Sequence, residues 1–156
     1  MINCRPATTG DAAAIRALTI AFDRGAETQL EQADFETRYA EIAGSPDWLL
    51  AIAELDGEPV GYVLAQDYGP GLRRPFTVGR LHDTYVLPSA RRKGVARAMM
   101  AVVEEWARTR GRPMILDWQS TPEAISFYES LGYVSDTEGD FAENPMFTLD
   151  TRRARS

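Results

Sequence analysis

A mixed α+β fold, with one central sheet and helices on its faces, is predicted by three features of the sequence. An Asp56-Gly57 dipeptide separates two apolar runs, the segment from Val95 to Trp106 carries apolar residues at helical spacing, and that segment stands between two further strand-like runs, 79–88 and 114–119. Strands joined by a tight turn must run antiparallel, whereas a strand-helix-strand unit favours a parallel, right-handed crossover. The expected sheet is therefore mostly antiparallel with one parallel pair. It has about six to seven strands and about four helices.

In chain order, INCRPA (2–7) reads as the first strand, and Thr9 or Asp11 caps a helix carrying Ile15, Leu18 and Phe22 on one face. A second helix is expected over 35–42, stopped by Gly44. DWLLAIAELDGEPVGYVLAQ (47–66) forms a hairpin, because Asp-Gly accepts the positive φ angles of a type I′ turn. The Gly- and Pro-rich stretch 67–79 reads as loop, at least in part. GRLHDTYVLP (79–88) is the next strand, ended by Pro88, which has no N–H to give to a ladder. Val95, Ala98, Met99, Val102, Val103 and Trp106 then make one face of a helix, with Arg97, Glu104, Glu105 and Arg108 on the other and Gly111 and Pro113 closing it. MILDWQ (114–119) is a strand. Thr121 as N-cap, Pro122 at the first helical position, a stripe of Ala124, Phe127 and Leu131, and Gly132 as the stop define the last helix. YVSD (133–136) and NPMFTLD (144–150) complete the sheet. Residues 1–150 are expected to form a single domain, followed by a basic tail, TRRARS (151–156).

The 156 residues suffice to bury a core; chains of this size hide about 70% of the surface they expose when unfolded. No stretch approaches the roughly 18 consecutive apolar residues of a membrane span, and MINCRPATTGD lacks the basic and apolar regions of a secretory signal. Cys4 is the only cysteine, so no intramolecular disulfide can form. These features predict a soluble, cytoplasmic protein with no membrane partner. With 17 basic and 23 acidic residues the net charge is −6, which disfavours nucleic acid as a partner and mildly favours cationic ones. No metal is expected.

Against that acidic background, Arg91, Arg92 and Lys93 stand in a row before Gly94 and the helix that opens at Val95. The first N–H groups of a helix have no intrahelical partner and lie at the positive end of its dipole, so such a turn is an anion site. Gly94 and Ala96 are small enough to let phosphate oxygens approach the backbone. The dipole contributes only about 0.3–1 kcal/mol per interaction, so the three cations must add the rest, and a diphosphate matches several amides flanked by guanidinium groups. Neither G-x-x-x-x-G-K-[ST] nor G-x-G-x-x-G is present, which argues against a nucleoside triphosphate or a dinucleotide.

The strand-turn-helix LHDTYVLPSARRKGVARAMM, followed by AISFYESLGYV, resembles the GNAT superfamily of N-acetyltransferases, and the opening CRPATTGDAAAIRAL is similar to that family's first strand and helix. The resemblance extends over residues 2 to 150. It implies the same mixed sheet with its parallel pair splayed, acetyl-CoA as co-substrate, and frequent dimerisation. It puts Arg91 at the first place of the Q/R-x-x-G-x-G/A signature, Gly94 and Ala96 at its small places, and Val86 on the strand that pairs with the pantetheine arm. Arg92, Lys93 and the Val95 amide join them in binding the cofactor. Thr121 stands where an asparagine commonly contacts the pantetheine, so its hydroxyl would replace that contact.

Acetyl transfer to an amine needs a neutral amine, a stabilised oxyanion and a protonated leaving thiolate. An alkyl ammonium of pKa about 10.4 is neutral in roughly one molecule in 2,500 at pH 7, so a base must assist. His82, the only histidine, suits that role, and the resemblance favours it; Asp83 is the adjacent alternative, and strand alternation points the two to opposite faces. Tyr128 reads from spacing alone as core packing, whereas the match to FYxxLGY implies a proton donor to the leaving sulfur. A backbone N–H near Tyr85 or Val86 would hold the oxyanion. Glu27, Glu31, Asp34, Asp140 and Glu143 could attract a cationic acceptor, or be plain solvated surface. Trp48, Trp118 and Phe141 read as core.

The resulting expectation is an N-acetyltransferase acting on a small-molecule or exposed peptide amine. A non-catalytic module of the same fold that binds CoA or an amine is the alternative. Nucleic-acid binding through Arg91–Lys93 and the tail would show a steep salt dependence, which the overall acidity makes the weakest reading.

Overall fold

A computed structural model describes residues 1–24, 29–136 and 143–155. Its elements are β1 (Ile2–Pro6), α1 (Ala12–Phe22), α2 (Gln32–Ala43), β2 (Trp48–Leu55), β3 (Glu58–Pro70), β4 (Thr77–Val86), α3 (Val95–Arg108), β5 (Met114–Gln119), α4 (Ile125–Ser130), β6 (Ser135–Asp136) and β7 (Met146–Asp150). The strands form one seven-stranded sheet in the order β1-β2-β3-β4-β5-β7-β6. β4 and β5 are parallel, while β1–β2, β5–β7 and β6–β7 are antiparallel. The parallel ladder joins Thr77–Arg80 to Met114–Asp117, and β4 continues beyond it to Val86. Among the described residues no helix is long and apolar enough to cross a membrane, and no group of three or more His, Cys, Asp or Glu could hold a metal ion.

The chain divides into two compact units, Met1–Ala65 with His82–Val103, and Gln66–Leu81 with Glu104–Ser156. In the first, helical spacing on α1 and α2 gathers Ile15, Leu18 and Tyr39 against Leu50, Ile52 and Tyr62 of β2 and β3, all buried. Each such aliphatic side chain contributes about 1.5–3 kcal/mol by leaving water. The β2–β3 turn has the predicted geometry, with φ of 52° at Asp56 and 86° at Gly57. Gly61 is required by contact: a Cβ there would lie 2.6 Å from the Tyr85 carbonyl oxygen. Cys4 is half-buried, and desolvation pushes its thiol pKa up to about 11.

Of the two expected caps, Asp11 is the residue that precedes α1, although its side chain bonds backward and not into the helix. Thr8, not Thr9, precedes the first turn; its N–H donates to the Asp11 carboxylate at 2.8 Å, and Arg5 grips the same carboxylate through Nη1 at 2.7 Å and Nη2 at 3.0 Å. Arg5 Nε also donates to Glu54 on β2 at 2.8 Å, so one guanidinium links strand to helix. The Arg5 hydrogen bonds, helped by the Thr8 N–H, hold Asp11 well below the ordinary carboxylate range. A depressed native pKa gives stability that is complete above the unfolded value, about 4, and is lost as pH falls toward the native one. Asp11→Ala should lower unfolding stability by about 1–2 kcal/mol at pH 7 and flatten the acid limb of a denaturation-versus-pH series. Equal slopes in the two proteins below pH 4 would contradict the assignment.

In the second unit, Trp118 of β5 and Phe147 of β7 are fully buried with rings stacked at 6.1 Å, and Tyr128 of α4 packs on both. The stretch expected to be loop in part, 67–79, is loop only over 71–76: β3 persists to Pro70 and β4 begins at Thr77. The reason is Asp67, whose buried carboxylate accepts from Gly69 N–H at 2.8 Å and Arg110 Nε at 2.9 Å, tying the strand end down. Such pairing satisfies a charge that would be costly to bury alone.

Candidate active site

The cationic turn follows directly from how β4 ends. Leu87 N–H donates to the Val60 carbonyl at 2.8 Å, and Pro88–Ala90 then turn the chain in a single 3₁₀ step. Arg92 and Gly94 both take positive φ, 62° and 91°, and the first bond of α3 runs from Ala98 N–H to the Gly94 carbonyl at 3.1 Å. The N–H groups of Val95, Ala96 and Arg97 thus precede the helical ladder, at the positive end of its dipole. Val95 is buried and anchors the helix start, while Arg92, Lys93 and Gly94 are exposed beside those amides. Arg91 turns back instead: its Nε donates to the Val86 carbonyl at 3.0 Å and its guanidinium lies 5.9 Å from the Tyr85 ring. It braces the turn against β4. Val86 is buried at the end of that strand, and two residues earlier the buried Thr84 hydroxyl has no hydrogen-bond partner among the described residues. A bound ligand can satisfy such a group, which otherwise costs about 1–3 kcal/mol.

A cavity of about 320 Å³ opens in the same unit, walled by α1, α2 and the sheet. That is within the size range of small-molecule sites, about 300–1,000 Å³. Ile15 and Leu50 belong at once to the core and to the cavity wall. Asp83 and Tyr62 form its polar end, the Tyr62 hydroxyl donating to Asp83 Oδ2 at 2.9 Å. Desolvation raises the Asp83 pKa, with Asp23 adding to the effect, while the Tyr62 hydrogen bond and His82 oppose it. Burial, reinforced by the Asp83 charge, raises the Tyr62 pKa, so its hydroxyl remains a donor.

His82 is exposed and does not line the cavity; its ring stacks on Trp48 at 5.5 Å. Trp48 in turn lies under Arg38, 5.3 Å from the guanidinium carbon to the ring centre, and Arg38 lines the cavity. Of the two neighbours, only Asp83 lines the cavity, as expected if a single one of them faces the site. The structure brings Val86, Arg91–Ala96, His82 and Asp83 into the first unit. Thr121 and Tyr128 belong to the second. Thr121 is the exposed residue before Pro122, at the start of a 3₁₀ turn leading into α4; its side chain makes no capping bond. Tyr128 is buried in the aromatic cluster around Trp118. Glu31, Asp34 and Glu143 are exposed, Trp48 is half-buried and Trp118 is core. Glu27, Asp140 and Phe141 lie outside the described residues. Sequence reasoning missed Asp23, Tyr62 and Thr84, for which spacing gives no signal distinct from ordinary strand or helix packing.

The parallel strands β4 and β5 thus flank an open, cationic amide turn and its helix within a seven-stranded mixed sheet. The description of the acetyltransferase (GNAT) family matches residues 12–133, and the chain belongs to that family. It is 30% identical over 103 residues to an uncharacterized N-acetyltransferase of Archaeoglobus fulgidus, covering 60% of this chain and 70% of the relative. It is 34% identical over 110 residues to an aminoglycoside N(6′)-acetyltransferase type 1 of Stenotrophomonas maltophilia, covering 69% and 68%. The fold is shared with a phosphinothricin acetyltransferase of Sinorhizobium meliloti solved in complex with acetyl-CoA, at a TM-score of 0.71 and 19% identity over 99% of this chain and 93% of that one. Family membership supports acetyl transfer as its chemistry.

Proposed function

We propose that this protein is an N-acetyltransferase that moves the acetyl group of acetyl-CoA to a primary amine held in the α1–α2 cavity. The observation that carries the reading is the turn at 92–97, where two positive-φ residues and the exposed cations Arg92, Lys93 and Arg97 surround amides that precede the helical ladder. These residues fit a diphosphate: donors are present, a side chain at Gly94 is absent, and Arg91 is committed to holding the turn. When bound, acetyl-CoA would supply an activated thioester acyl group.

The chain's own residues supply the remaining chemistry. Asp83 receives the acceptor's ammonium, orients it and takes its proton; burial strengthens it as a base, and the Tyr62 hydroxyl fixes its carboxylate. We assign the base to Asp83 rather than to His82 because Asp83 lies on the cavity wall. Tyr128, carried over from the family resemblance, donates a proton from Oη to the leaving sulfur. Tyr128→Phe should lower kcat about a hundredfold while the Kd for CoA stays unchanged; unaltered kcat would remove Tyr128 from the reaction.

The direct test mixes the protein with acetyl-CoA and a panel of amines and follows free thiol together with the mass of the acetylated product. Transfer gives both signals in equal amounts. Heat of CoA binding without thiol release from any amine would leave a binding module, and no heat at all would remove the coenzyme from the reading.

A further inference from the structure

We infer that the acceptor is a compact amine with an apolar body, such as an arylalkylamine, and not a polyamine or an amino sugar. This rests on the reading of the α1–α2 cavity as the acceptor site. Its walls are dominated by aliphatic and aromatic side chains, among them Ile15, Phe35, Ile42, Leu50 and Leu64. The mouth carries two more, Phe22 and Leu30, which are 39% and 51% exposed. Large apolar side chains left in water at the rim of a cavity mark a surface that a ligand covers. Phe22 is also held in place, its ring stacked on Tyr85 at 5.0 Å, so the mouth presents an ordered aromatic face.

The polar lining groups are largely committed to one another. Thr19 Oγ1 donates to the Arg16 carbonyl at 2.8 Å and lies 3.0 Å from Gln29 Oε1. Gln29 Nε2 donates to the Thr19 carbonyl at 3.3 Å and to Asp23. Arg38 donates to Glu41 at 3.0 Å and covers Trp48. Two carboxylates keep an oxygen with no hydrogen-bond partner among the described residues: Asp83, whose Oδ2 is engaged by Tyr62 at the half-buried end, and Asp23, whose Oδ2 accepts from Gln29 and which is exposed to solvent. One carboxylate oxygen at the end of an apolar cavity accepts a single ammonium. An amino sugar would bring a ring of hydroxyls that these committed groups cannot pair, and burying them unpaired is costly. A polyamine with its first ammonium at Asp83 could set one more against the exposed Asp23, but would lay the rest of its charge along leucine and phenylalanine, which is costlier still. The cavity, about 320 Å³, admits a single ring on a short arm.

The test compares kcat/KM along the unbranched series ethylamine to hexylamine, and for 2-phenylethylamine, spermidine and glucosamine, with calorimetry of the same amines on the CoA-loaded protein. The expected result is a rise of about fourfold per methylene until the cavity is filled, with 2-phenylethylamine exceeding spermidine and glucosamine by at least about a hundredfold. Leu30→Ala, an exposed rim change, should weaken 2-phenylethylamine roughly threefold to tenfold, a larger effect than on ethylamine. Transfer that is flat along the series, or that favours spermidine or glucosamine, overturns the inference while leaving acetyl transfer standing. No thiol release from any amine, with 2-phenylethylamine still bound in a Leu30-dependent way, upholds the cavity's preference and removes the transfer reaction instead.

Discussion

Asp83→Asn is expected to reduce kcat/KM for the amine by about 10²–10⁴, leaving the Kd for CoA within about twofold. The asparagine is nearly the same size and can still accept the Tyr62 hydrogen bond, so the change removes charge and basicity without emptying the site. The pH dependence supplies a second signature. With Asp83 present, activity needs that carboxylate ionised, so the acid limb lies above the ordinary carboxylate range because burial raises its pKa. Without it, only acceptor that is already neutral reacts, and activity should rise about tenfold per pH unit up to the amine's own pKa, about 10.4. Stability should move the other way. A carboxylate whose native pKa is raised loses stabilising effect as pH climbs past its unfolded value toward the native one. The variant escapes that loss and should unfold at an equal or higher temperature at pH 7. An Asp83→Asn protein with near-normal turnover would return the base to His82 or to water.

Gly94→Val carries the second large effect. Gly94 holds φ at +91°, where a β-branched residue costs about 1–3 kcal/mol; an ideal Cβ there would meet Ile2 Cδ1 at an ordinary contact distance, 3.5 Å, so the strain lies in the backbone. Relieving that strain turns the amides ahead of α3 away from a common point. The Kd for CoA should rise roughly tenfold to a hundredfold, with kcat at saturating acetyl-CoA changed far less. Calorimetry reads this directly, and unchanged affinity would show that the turn does not grip the coenzyme.

Much of this architecture is legible in the sequence where one residue type answers to one backbone demand. Asp56-Gly57 announces its hairpin, Gly94, Gly111 and Gly132 take the positive φ their positions suggest, and MILDWQ matches β5 to the residue. Stripes are less decisive. On α3 the spacing points to Val102 and Trp106, which are only partly buried, while Met100 and Ala107 are fully buried, since the covered arc of a helix is set by the neighbours that tertiary structure brings. The cavity was least legible for the same reason. Ile15 reads as one face of a helix from its spacing, and whether such a side chain meets another side chain or a void is decided by the packing of α1 and α2. Asp83 and His82 are neighbours on one strand, and alternation could not foresee that Trp48 would capture the imidazole.

The shielded position of Cys4 bears on how such a reaction can be watched. A thiol whose pKa is pushed from 9.0 up to about 11 is ionised about a hundred times less at pH 8, and disulfide reagents attack the thiolate alone. Colorimetric readouts of released coenzyme should therefore start from a quiet baseline, and a fluorophore directed to a cysteine introduced on the surface should label that site and leave Cys4 untouched.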